Sequence, residues 1–117
     1  MRIYLAAPWT RRVEARRVRD ELEAAGHTVN SRWLDLHGGG GEHVLATEAQ
    51  NDIDDLIACD VLVLLNLEKS EGKAVETGFA LALDIPIYVI GGHSNVFHYH
   101  PRVKHVVLDD LLRAPTR

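Results

Sequence analysis

The chain has 117 residues, 46% hydrophobic and 26% charged, the balance of an ordinary globular protein long enough to bury a core without disulfide or metal staples. A net charge of −4, with no Lys/Arg run longer than two residues, argues against nucleic acid as a partner. A single cysteine, Cys59, rules out an intrachain disulfide, and with no signal peptide or spanning stretch ahead of the first predicted strand a cytoplasmic home without membrane contact is expected.

Taken in order, residues 2–6 predict a first strand and 7–10 a turn, with Thr10 placed to cap the helix that follows. Residues 11–25 have helical periodicity, with Val13, Val18, Leu22 and Ala25 inward and Gly26 closing the helix. Arg11, Arg12, Arg16 and Arg17 read as its solvated face, Arg11 and Arg12 also standing near enough the helix start to meet a phosphate. A second strand is expected over 27–32. The segment 35–43 carries four glycines but no Lys-Ser/Thr sequel, so it is not a phosphate-binding P-loop and is either a mobile lid or a plain connector.

Residues 44–59 predict a second helix, and the apolar run 60–65 a buried parallel strand. A polar, glycine-bearing loop then leads into a helix reaching Leu83, in which Glu76 is the only ionisable side chain from Ala74 onward. Strands at 86–90 and 104–108 and a closing helix at 109–113 complete the chain. This alternation predicts a single α/β domain over 1–117: a flavodoxin-like (Rossmann-like) three-layer sandwich, its roughly five-stranded parallel sheet carrying helices on both faces. Three strand-to-helix junctions, at 6–10, 66–72 and 91–100, then converge on the carboxyl edge, where such sheets bind ligands.

Two acids are informative. Glu76 falls in what reads as the first turn of its helix, where the helix dipole favours the anion. On the second helix, Leu45, Ala49, Ile53, Leu56 and Ile57 form an apolar arc, while Glu48, Asn51, Asp54 and Asp55 form a solvated one. Asp52 projects between Leu45 and Leu56, where a carboxylate is costly unless paired. It either tethers a loop or an arginine, or does chemistry. Two partly buried carboxylates at one sheet edge suit a glycosidic carbon, one acid attacking and the other, its pKa raised, protonating the leaving group.

These residues resemble a family. The run Ile3-Tyr4-Leu5-Ala6-Ala7-Pro8-Trp9 is similar to the first strand and base-binding turn of nucleoside 2-deoxyribosyltransferases. Asn51-Asp52-Ile53, Asp60, and Ser70-x-Gly72-x-x-x-Glu76-x-Gly78 resemble the core those enzymes share with 2′-deoxynucleoside 5′-phosphate N-hydrolases. The resemblance implies Glu76 as the nucleophile at C1′, with Asp52 orienting it and helping to protonate the departing base. It gives Tyr4 a hydrogen bond near the nucleophile, Trp9 a place in the base pocket and Asp60 a structural role.

Ser70 chooses the branch. The transferases resemble one another in an aspartate there facing the sugar 5′-hydroxyl, the N-hydrolases in a serine that binds 5′-phosphate. Ser70, with the Gly72 backbone, the helix start and charge from Lys73, therefore implies a nucleoside monophosphate substrate. Pro8-Trp9 looks more like the transferase turn, so base exchange on deoxynucleosides is the alternative, and a non-catalytic nucleotide sensor a further one. NAD hydrolysis by a similar glutamate stays open. The implied enzyme needs no cofactor. It is a homodimer or larger homo-oligomer in which the segment 91–101 completes a neighbour's site, Asn95 donating to sugar or phosphate there.

Other features have plainer readings. His98-x-His100 lacks a nearby Cys or acid to complete a metal site. Trp33 reads as core or edge packing and Cys59 as a small core residue. A signalling receiver would need acids where Ala6, Ala7 and Asn66 stand.

Overall fold

The computed structural model describes residues 1–116. Its sheet is five-stranded and wholly parallel, in the order β2-β1-β3-β4-β5, with β1 Arg2–Ala6, β2 Thr28–Val29, β3 Val61–Asn66, β4 Ile87–Gly91 and β5 Val103–His105. This is the expected flavodoxin-like order. The helices are α1 Arg12–Ala24, α2 Glu42–Ile57, α3 Glu71–Ala82 and α4 Leu108–Leu112. α1 packs with α4 and α2 with α3, one pair on each face of the sheet.

β3 is buried at all six positions, as its unbroken apolar run requires of a strand covered on both faces, and Ile3 to Ala6 of β1 are buried beside it. The expected second strand shrinks to Thr28–Val29 because side chains take over its pairing. The Leu5 amide donates to Ser31 Oγ at 2.7 Å, and Trp33 Nε1 donates to the Leu5 carbonyl at 2.8 Å, so the chain turns into a 3-10 segment at Arg32–Asp35. Asp60 accepts from the Arg2 amide at 2.7 Å and Cys59 packs half-buried against the core, its thiol pushed up by burial to about 11.

Several helix readings need correction. Thr10 does not cap α1: it lies in the 3-10 turn Trp9–Arg11 and donates instead to Glu68 Oε1 at 2.5 Å. With the helix start displaced, Ala15 and Leu22 are buried and Val13 faces solvent. On α2 only part of the apolar arc turns inward: Leu56 is buried in the core, but the arc's two ends are not. Leu45 and Ile57 are 52% and 55% exposed, whereas Asp55, expected in solvent, is buried. Its carboxylate is held by the Arg32 amide at 3.1 Å and the Arg32 guanidinium at 2.8 Å, and this charge-assisted pair turns the helix about its axis.

Among the described residues no helix is long and apolar enough to cross a membrane. At the carboxyl edge, Gly91 ends β4 with φ +112°, and a Cβ there would lie 2.7 Å from the Asn66 carbonyl oxygen. Gly91→Ala should therefore lower unfolding free energy by about 1–3 kcal/mol. The denaturation midpoint should fall with the m-value unchanged.

Candidate active site

From β1 the chain crosses to β2 on one side, and from β3 to β4 on the other, so the carboxyl ends of β1 and β3 flank a topological switch point. A cavity of ≈ 280 Å³ opens there. Tyr4 projects into it from β1, and Trp9 from the turn beyond. The opposite wall is α2, which supplies Glu48 and Asp52, and the start of α3 adds Ser70, Gly72 and Glu76. A second, mostly apolar cleft of ≈ 240 Å³ between α2 and α3 shares Asp52, Gly72 and Glu76 with it and continues past Leu56, Val75 and Phe79.

Ser70 is the N-cap of α3, its Oγ accepting from the Lys73 amide at 3.2 Å while the hydroxyl proton stays available. Because α3 begins at Glu71, Glu76 lies in the second turn and outside the reach of the helix dipole. Burial dominates its electrostatics. The Glu76 carboxyl is pushed up to about 7 by burial and the nearby Asp52 charge, against opposing pulls from Tyr4 and Lys73. Asp52 is pushed up to about 6 by burial and by the Asp55 and Glu48 charges, with Arg32 partly offsetting them. Both acids are thus raised, Glu76 the further, which reverses the dipole argument. Two such neighbours titrate as a pair.

The Tyr4 hydroxyl is buried, with no well-formed hydrogen bond. It stands close enough to Glu76 to draw that carboxyl toward its ionised form, while burial and the Glu76 charge raise the phenol's own pKa.

Lys73 turns out differently from expectation. It is buried, and its ammonium donates to Asn66 Oδ1 at 2.5 Å and to the Glu68 carbonyl, so it braces the loop before α3 rather than facing the cavity. Arg12 lies 3.8 Å over the Trp9 ring and Arg11 pairs with Glu14 and Glu68, so neither lines the cavity. The glycine-rich segment packs onto the same indole: a Cβ at Gly38 would sit 3.1 Å from it, and Gly38, Gly39 and Gly40 all have positive φ.

Asn95 is not brought to the acids of its own chain. Its side chain accepts from the Phe97 amide at 2.9 Å, on the far side of Ser70. His98 is buried, with Nδ1 accepting from the Ser94 amide, and His100 accepts from the Arg102 amide. Among the described residues no three potential metal ligands come together. Two wall residues escaped the sequence reading. Trp33 both packs and lines the cavity, its ring centre 6.2 Å from that of Trp9. Glu48 stands one turn before Asp52, an i, i+4 spacing that already placed it on the same helix face.

The sequence model of the nucleoside 2-deoxyribosyltransferase family matches residues 3–106. The chain belongs to that family. A solved 2-deoxyribosyltransferase from the psychrotolerant bacterium Bacillus psychrosaccharolyticus superposes with a TM-score of 0.75 over 98% of this chain and 93% of that one, at 21% identity. No curated protein matches the sequence. Every deoxyribosyltransferase-like residue singled out above, from Tyr4 to Asn95, falls inside the matched span.

The raised acids have a consequence for stability. A carboxyl whose pKa is higher in the folded than in the unfolded chain favours folding at acid pH, and that contribution is lost as pH rises through about 6 to 7 here. In thermal unfolding, Glu76→Gln should therefore raise Tm above wild type at pH 8 and lose that advantage near pH 5.

Proposed function

We propose that this protein cleaves the N-glycosidic bond of a (deoxy)nucleoside 5′-monophosphate and releases the free base. The observation that carries the reading is the Glu76–Asp52 pair in one cavity, raised so that it retains a proton near neutrality. The reactive form of the singly protonated pair is the less populated one, with the proton on Asp52: ionised Glu76 attacks C1′ as the C1′–N bond breaks, and Asp52 gives its proton to the departing nitrogen. Water then attacks C1′ of the glycosyl ester, losing its proton to Asp52 and restoring the Glu76 carboxylate. Tyr4 steadies the carboxylate in both steps. This sequence calls for no cofactor.

The Ser70 hydroxyl and the first-turn amides of α3 support the phosphate, and Gly72 leaves its backbone open to close approach. One observation favours the second reading, base exchange between unphosphorylated deoxynucleosides: among the described residues no Lys or Arg lines the cavity. The transferase solved from Bacillus psychrosaccharolyticus supports the same alternative at the level of fold.

Chromatography of base release from nucleosides and 5′-monophosphates, with and without acceptor base, separates the two. The hydrolase reading expects release from monophosphates, abolished in Glu76→Ala, and a selectivity for phosphate that Ser70→Asp reverses by charge repulsion. The pH profile of kcat/KM should be a narrow bell, both acids protonated on its acid side and both ionised on its alkaline side. Base exchange on unphosphorylated substrates would establish the alternative. No turnover on any substrate would leave a non-catalytic nucleotide binder.

The active unit proposed is a homodimer. Leu45, Ile57, Val75 and Leu83 leave an exposed apolar face over α2 and α3, next to the cleft that opens onto Glu76. Val96, Phe97 and Tyr99 are exposed in the segment that carries Asn95. A second chain accounts for both surfaces and brings Asn95 of one protomer to the site of the other. Mixing inactive Glu76→Ala with inactive Asn95→Ala should then restore activity through hybrid dimers holding one intact site. No recovery in a mixture shown to exchange subunits would sink the shared-site arrangement.

A further inference from the structure

Glu48 has no task in the reaction just described, yet it lines the cavity. It is half-buried, lies one turn before Asp52 on α2, and makes no hydrogen bond or ion pair among the described residues. An ionised carboxylate is an acceptor only, with two oxygens side by side. Left in a partly desolvated cavity it needs donors, and none of those on the wall, the Tyr4 and Ser70 hydroxyls and the Trp9 indole N–H, is bonded to it. The missing donors belong to the ligand.

Position says which part of the ligand. Asp52 and Glu76 border both the main cavity and the α2–α3 cleft, whereas Glu48, Trp9 and Trp33 border the main cavity alone. A leaving group protonated by Asp52 therefore extends along the Trp9 and Trp33 side of the cavity with Glu48 beside its edge. Base edges differ in what they give a carboxylate. Guanine presents a ring N1–H next to an exocyclic amino group, two donors in line for two oxygens. Hypoxanthine keeps the ring N–H but lacks the amino group. Adenine and cytosine set an amino group beside a bare ring nitrogen, and uracil and thymine flank one N–H with carbonyl oxygens.

We propose that Glu48 is the base-selecting residue of this site, accepting the N1–H and the exocyclic amine of a guanine-type base in a bidentate pair. Turnover of such a substrate rests on the N-glycosidic reading above; selective binding does not. A plainer role, in which the Glu48 charge only sets the protonation of Asp52, makes a different prediction, because it touches every base alike.

The test compares 2′-deoxyguanosine, 2′-deoxyinosine and 2′-deoxyadenosine, each free and as the 5′-monophosphate. They are assayed for kcat/KM with wild type and Glu48→Gln, and for binding by tryptophan fluorescence with Glu76→Gln and with the double variant. Wild type should favour the guanine compounds over the other two by about ten- to a hundredfold, the discrimination one bidentate pair gives against the wrong base. Glu48→Gln should collapse that ratio toward unity in both turnover and binding. Equal losses on all three bases with a displaced pH profile would overturn the proposal in favour of action through Asp52. Absence of guanine preference in the binding of Glu76→Gln would overturn it outright. Guanine-selective binding without turnover would support the proposal while sinking the N-glycosidic reading.

Discussion

The buried ammonium of Lys73 is the constraint on which the carboxyl edge of the sheet depends. It donates to Asn66 Oδ1 at the end of β3 and to the Glu68 carbonyl, while Asn66 passes the connection on through its amide to the Gly92 carbonyl beyond β4. Ser94 Oγ joins at 3.4 Å. One charge thus ties the loop before α3 to the loop after β4. Burial lowers its pKa, offset by the charges of Glu68 and Glu76. A buried cation is tolerated only when its donors are satisfied, so the loop geometry that seats Ser70, Gly72 and Glu76 is rigidly specified. Gly91 completes the arrangement by letting the β4 end pass against Asn66 without a side chain in the way.

The cavity beside that cation sets three carboxylates together, Glu48, Asp52 and Glu76, with no basic residue on its wall among the described residues. Such a site is poorly stabilised when empty, as functional sites commonly are. The outcome for Glu76 shows which effect wins. A helix dipole fades within the first turn, whereas desolvation acts wherever water is excluded. Burial therefore makes the pair proton-retaining near neutrality, the condition that acid-assisted departure of a base requires.

The reading of α2 shows why a helical wheel is an incomplete guide. Leu45 and Ile57 mark a true apolar stripe, but an apolar stripe identifies a surface that leaves water, without saying whether the cover is the same chain or another. Asp55 decided the rotation, since its pairing with Arg32 draws a charged face inward. Asp52 was legible as an anomaly on the stripe. Glu48, one turn away on the same side, was hidden among ordinary solvated acids, and Trp33 among ordinary packing residues.

The sequence alone determined the alternation of strands and helices, the buried parallel character of β3, and hence the flavodoxin-like order, because periodicity, run length and crossover handedness are local or topological rules. It also singled out Tyr4, Trp9, Asp52, Ser70, Gly72 and Glu76, which the fold brings to one cavity. Only the tertiary structure decided that Lys73 braces a loop instead of facing a ligand, that Glu76 and Asp52 are both raised, and that Asn95 is held apart from the acids of its own chain. Each of those depends on how much water reaches an atom and which distant atom stands beside it, and neither quantity is written in the spacing of residues along the chain.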